Sequence, residues 1–387
     1  MNGIMDSLEE ATKKLRGKRY QSHKFCYDSL KNSVVEYEQD KEVEWQKYSE
    51  SEHITRPKDL TNKIKFLRDL RQESWFKYFL DGSRHTYKVD DMDFGKNVYP
   101  ILAGQVGISC CTRVNKRIHP LKNFFNRKLV IVVPTCALPS EYNKEADCAV
   151  LLGKINQSKR LIDKKMKIDD VLMYNLDDDE KFDKKGIAKI QDYMIQKEKE
   201  AVKELVKKGL IGDESYLIKD GSLEYKATRS REFNLSDAKM KNAYQYVIGV
   251  SKSFNPAMCY TKGGGTNSSI IAGLKVNERT PAYCYDSPKS GNDVSFCVWY
   301  LRLRDSKYTQ NVFDGVIKVE KLIQDDEKQH GVDSELIDTI SAFLLMERNP
   351  VAYGKDARWA NHLYPVYVTE TFAKSRYISN DTFLRLF

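Results

Sequence analysis

The sequence predicts an α/β chain, a mixed β-sheet flanked by helices, preceded by a helical amino-terminal extension over residues 1–73. Three observations carry that reading. Two apolar, aromatic runs, 75–80 and 216–219, each lead into an Asp-Gly-Ser tripeptide, at Asp81 and at Asp220. Short apolar runs bounded by glycine have the texture of core strands. Residues 99–114 and 128–134 are also apolar and β-compatible, and they follow the first run in succession, as strands of an antiparallel meander do. Between the two tripeptides, residues 186–208 carry apolar side chains at helical spacing, which predicts a long amphipathic helix.

Composition bounds the function classes. A chain of 387 residues makes one large domain or two modest ones. Its net charge of +9 suits a polyanionic partner without requiring one. The eight cysteines include no Cys-x-x-Cys pair, which argues against a zinc ribbon or a disulfide framework and for a reduced compartment. No apolar stretch is long enough to span a bilayer, and the first residues are charged. The expectation is a soluble, cytoplasmic protein with no membrane association.

Taken in order, residues 1–73 read as charged helices. Ser7 and Glu10 have capping-box spacing. Charge of alternating sign between Tyr20 and Tyr48 predicts long solvent-facing helices, and a second helix is expected over 59–73. This extension either covers the sheet or serves docking or dimerisation. The strand beginning at Trp75 is expected to end at Asp81 and turn on Gly82. The basic segment around His119 and 122–127 reads as a hairpin tip. Residues 176–186, with Asp177, Asp178 and Asp179, read as a solvated connector. Further on, a helix is expected over 236–244 and a strand over 246–252 that ends in Lys252. Residues 262–266, Lys-Gly-Gly-Gly-Thr, lack the order of a phosphate loop, so ATP hydrolysis is not expected. Strands at 294–303 and 315–319 and a helix over 334–346, capped by Asp333 or Ser334, follow. Residues 364–371 form an apolar segment that brings in Glu370, before a final helix or turn.

The candidate site begins with the two aspartates. Asp-Gly is ordinary turn chemistry. Two carboxylates gathered at strand ends, however, repel each other unless a divalent cation sits between them. Glu198 is the third candidate. On the helix over 186–208 it falls in the middle of the stripe formed by Ile187, Met194, Ile195, Ala201, Val202 and Leu205. A core-facing carboxylate is costly unless paired or bound to metal, so Glu198 is either a partnered core acid or a metal ligand beside Asp81 and Asp220. Lys252 is either a surface lysine or a phosphate contact.

In their order, these motifs resemble the NurA nuclease domain, a member of the RNase H-like group related to the PIWI domain. The order is Asp81-Gly-Ser, a meander, a helix with an inward glutamate, Asp220-Gly-Ser-Leu, Gly-Val-Ser-Lys252 and a Tyr364-Pro365 segment. The resemblance covers about residues 75–380, within a nuclease domain taken as 74–387. It implies an RNase H-like fold and an exonuclease and single-strand endonuclease that uses Mn²⁺ or Mg²⁺ at DNA ends. It also implies a homodimer working with a HerA-type hexameric ATPase in DNA end processing or phage defence. Asp81, Glu198 and Asp220 then match the family's metal-binding acids and Lys252 its strand-end lysine. The family's Ala-His pair after Tyr-Pro is replaced here by Thr369, Glu370, Thr371 and Phe372. Glu370 or His362 takes the histidine's place, or that corner is degenerate. Hard cations prefer carboxylate oxygen, and two of them about 4 Å apart can supply all that phosphodiester hydrolysis needs. Two other readings are a catalytically silent DNA-binding or ATPase-docking subunit, and an RNase H- or PIWI-like nuclease acting on RNA or a hybrid duplex.

Overall fold

The computed structural model describes residues 43–44, 47–93, 97–138, 143–177, 180–224, 238–256, 259–260, 268–287, 290, 294–348 and 359–387. The helices expected before residue 43, Asp178 and Asp179 of the charged connector, the start of the helix expected from Ser236, and the glycine loop at 262–266 lie outside these residues. The chain forms two compact units. The first takes the described residues up to Trp75 together with Gly221–Tyr364, and the second takes Phe76–Asp220 and Pro365–Phe387.

The second unit is a mixed sheet of strands β1 (Phe76–Asp93), β2 (Val98–Val114), β3 (Arg117–Pro120), β4 (Asn126–Pro134), β5 (Asp170–Tyr174) and β6 (Tyr216–Asp220). Its order is β6-β1-β2-β4-β5, with β3 paired to β2. The β1-β2-β4 meander is antiparallel, whereas β6 and β5 run parallel to β1 and β4. Helices α1 (Lys144–Ile155), α2 (Phe182–Lys207), α3 (Tyr364–Ser375) and α4 (Asn380–Leu384) accompany it. Strand side chains alternate between faces. Ile101, Ala103, Leu129, Ile131 and Val133 therefore form one face, which packs with Cys148 of α1 and Phe383 of α4. The opposite face meets α2, where Ile190 lies against Gly104. Cover on both faces explains why β2 is buried without interruption from Ile101 to Cys111.

The first unit holds an antiparallel sheet of β7 (Val247–Ser251), β8 (Tyr283–Asp286), β9 (Ser295–Arg302) and β10 (Val316–Leu322), ordered β8-β9-β10-β7. The helix Ser334–Met346 lies in this unit, where Trp299 Nε1 of β9 donates to Ser341 Oγ at 2.9 Å. Asp333 caps this helix by accepting from the Glu335 amide at 3.1 Å.

Four expectations need correction. Residues 47–48 are extended, because they pair with Tyr283 and Cys284 at the sheet edge. Tertiary pairing there overrides the helical charge pattern. The later helix is real but shorter than expected, Thr61–Asp69. The strand carrying Asp81 does not end there. It continues to Asp93 through Gly82 and Ser83, which pair antiparallel with Ile108 and Gly107, and its register shifts only between Lys88 and Asp90. Residues 364–371 are helical, so Glu370 projects from a helix. Among the described residues, no helix is long and apolar enough to cross a membrane.

Candidate metal centre

Asp81, Asp220 and Glu370 converge within the second unit. One carboxylate oxygen of each lies within 4.8 Å of the other two. The sheet register places the first two. β6 runs parallel to β1 with Lys219 opposite Leu80, so Asp220 and Asp81 are the next residues along neighbouring strands. Strands about 4.8 Å apart carry such side chains in parallel. The third acid arrives on α3. Ser109, the cross-strand partner of Asp81, donates through Oγ to the Thr369 carbonyl at 3.0 Å. That bond fixes the turn of α3 that bears Glu370. Further along, the Gln105 side chain of β2 pairs with the backbone of Ile378, donating to its carbonyl and accepting from its amide, each at 2.9 Å. Both bonds clamp the carboxyl-terminal segment onto β2.

Asp81 is 3 % exposed, while Asp220 and Glu370 are half-buried. Glu370 shares its charge with Lys374, one helical turn on, at 2.6 Å. Gathering three carboxylates around a buried position is unfavourable unless a cation compensates. The donors are all hard oxygens, with no thiolate or imidazole among them. Such a set suits Mg²⁺ or Mn²⁺ rather than Zn²⁺. Beside Asp81, Ser83 Oγ and Tyr377 Oη are 2.5 Å apart. Burial pushes the Tyr377 phenol up to about 12, and the charge of Asp81 adds to the shift.

Glu198 is buried on α2, in a row with Ile190, Met194, Val202 and Leu205. Its carboxylate stands beside the three acids rather than among them. Lys219 Nζ lies 2.8 Å from Glu198 Oε2, and both side chains are buried. The Gly82 amide also donates to Glu198. Burial pushes the Glu198 carboxyl up; Lys219 and the Gly82 amide pull against this, and the charge of Asp220 adds to it.

Gly82 is therefore required by contact rather than by a turn. A Cβ there would sit 2.2 Å from Glu198 Oε1 and 3.0 Å from Ile108 Cδ1. Gly82→Ala is expected to lower stability by about 1–3 kcal/mol through overpacking, read as a drop in the urea midpoint. Gly221 does follow turn logic, with φ of 83°. Just beyond it, Ser222 Oγ and the Leu223 amide both donate to Glu320 Oε2, at 2.8 and 2.7 Å. The two Asp-Gly-Ser tripeptides thus share letters but not conformation.

Lys252 and His362 belong to the first unit. Lys252 directly follows β7 and is half-buried; its carbonyl accepts from Asn361 Nδ2 at 2.8 Å. His362 is buried. Neither is in the acidic group, whose third member is Glu370. Sequence reasoning missed Lys219 and Tyr377. Lys219 carried a signal: it is the single charged residue in an apolar run that is buried throughout, 216–219, and a lysine in such a place needs an acid partner.

No family model matches the sequence, and no curated protein matches it. Among solved structures, the chain is similar to the NurA nuclease from Sulfolobus solfataricus, at 12% identity over 84% of this chain and 92% of that chain, with a TM-score of 0.41.

Proposed function

We propose that this chain is a metal-dependent deoxyribonuclease, hydrolysing phosphodiester bonds at DNA ends as an exonuclease and single-strand endonuclease. One observation carries the reading: carboxylates from two strands and a distant helix, Asp81, Asp220 and Glu370, meet within 4.8 Å. These three residues would hold Mn²⁺ or Mg²⁺. When bound, the ion supplies charge neutralisation at the phosphate and at the departing oxygen. The chain's own residues do the remaining work. Ser109 and Gln105 hold the segment that presents Glu370. The net charge of +9 favours a polyanion. Lys252, on the resemblance of its Gly-Val-Ser-Lys context, contacts phosphate. That same resemblance supports a homodimer docked on a HerA-type hexameric ATPase, acting in DNA end processing for repair or antiviral defence, and the cysteine usage favours a cytoplasmic setting.

The test is degradation of labelled single-stranded and duplex DNA with Mn²⁺, with Mg²⁺ and with EDTA. Cleavage in either metal, abolished by EDTA and restored by added Mn²⁺, is expected. Cleavage confined to RNA or a hybrid duplex would move the chain to a PIWI-like activity. No cleavage in any metal, with the ATPase partner supplied, would make it a silent DNA-binding or docking subunit.

A further inference from the structure

Beside the acidic centre lie a further carboxylate, Glu198, and a buried cation, Lys219. Lys219 is buried in β6, directly before Asp220. Its ammonium lies 2.8 Å from Glu198 Oε2 and donates to the Asp220 carbonyl at 2.9 Å. One lysine thus ties the helical acid to the backbone of the strand that ends in Asp220. The other side of Glu198 is equally constrained, since its Oε1 packs on the bare Cα of Gly82 and the Gly82 amide donates to the carboxylate. To join a metal held by Asp81, Asp220 and Glu370, Glu198 would have to give up its buried ion pair with Lys219 and its close packing on Gly82. Breaking a buried ion pair in that way is strongly unfavourable.

We propose that Lys219 is a built-in counter-cation that withholds Glu198 from the metal, so that the centre takes a single divalent ion on Asp81, Asp220 and Glu370. Lys219 and Glu198 are then positioning residues that hold the end of β6 and the β1 backbone at Gly82 in place. This rests on the metal-site reading above, and it departs from two-ion chemistry at such sites.

The experiment is Mn²⁺ titration of the full chain without DNA, with free ion read by its electron paramagnetic resonance signal. Wild type is expected to bind one Mn²⁺. Glu198→Gln keeps the acceptor for Lys219 and for Gly82. It is expected to retain that one ion with affinity changed by less than about threefold, against the tenfold or more usual when a ligand or its direct support is removed. Asp81→Asn and Asp220→Asn are expected to lose it. Lys219→Met, checked for folding by circular dichroism, is expected to gain a second Mn²⁺ through the released Glu198. In Lys219→Met/Glu198→Gln, which no longer buries an unpaired charge, the count returns to one. Two ions in wild type, or loss of the ion in Glu198→Gln, would overturn the role of Lys219 while leaving a metal site standing. No Mn²⁺ bound by wild type would overturn the metal site and this proposal with it.

Discussion

Asp81→Asn and Asp220→Asn are each expected to lower Mn²⁺-dependent DNA cleavage by about a thousandfold, equivalent to ~4 kcal/mol of transition-state stabilisation. Asparagine keeps the shape of each side chain but removes the charge on which the centre depends. Glu370→Gln should fall less, by about tenfold to a hundredfold in rate, or ~1.4–2.7 kcal/mol. Its carboxylate is partly exposed and shares its charge with Lys374. Thermal unfolding checks that the loss arises at the centre. In EDTA the asparagine variants should be as stable as wild type or slightly more so, because one of three mutually repelling carboxylates is gone. In Mn²⁺ only wild type should gain, since stabilisation by a ligand requires that the native state bind it. A variant that unfolds early in EDTA would assign the residue to the fold rather than to chemistry.

Arg279→Ala should be the most destabilising substitution in the first unit, at about 3–5 kcal/mol. The guanidinium is fully buried and meets Glu50 at 2.8 and 3.3 Å and Asp338 at 2.6 Å. Lys58 adds a second cation to Asp338 at 2.6 Å, and the Ala282 amide donates to Glu50 at 2.8 Å. Removing the arginine leaves two buried carboxylates with too little positive charge. Urea denaturation should show the loss as a lower midpoint. Lys88→Ala, which breaks an exposed pair with Asp91 at 2.5 Å, should cost no more than about 1 kcal/mol and serves as the control. Equal midpoints for the two variants would mean that the Arg279 network holds nothing together.

The candidate centre was legible where local pattern and chemistry coincide. Asp81 and Asp220 stood out because apolar strands led into them, and Glu198 because helical phase turned it toward the core. The structure buries Glu198 in that stripe. Gly82 was misread because a glycine after aspartate signals a turn by composition alone, and only the position of Glu198 reveals contact as its purpose. Glu370 could be named as an acid after Tyr-Pro, but its place beside Asp81 depends on the Ser109 bond to Thr369, 260 residues apart in sequence. Residues 47–48 show the opposite limit. Their charged context reads helical, and pairing with Tyr283 and Cys284 makes them extended. The division into interleaved units was not readable, because no compositional change marks Gly221 or Pro365 as a boundary.

That interleaving has a consequence for biosynthesis. Two of the three carboxylates, Asp81 and Asp220, leave the ribosome with the first segment of the second unit; Glu370 belongs to its last segment. Synthesis at roughly 5–20 residues per second separates these events by roughly 8 to 30 seconds. The bonds that seat the late segment, Ser109 to Thr369 and Ser83 to Tyr377, span 260 and 294 residues, and contacts of such separation form slowly. A nascent or prematurely terminated chain therefore carries an acidic pair without its third member. On the proposed function, a cell that makes this protein is shielded from cutting its own DNA with unfinished copies.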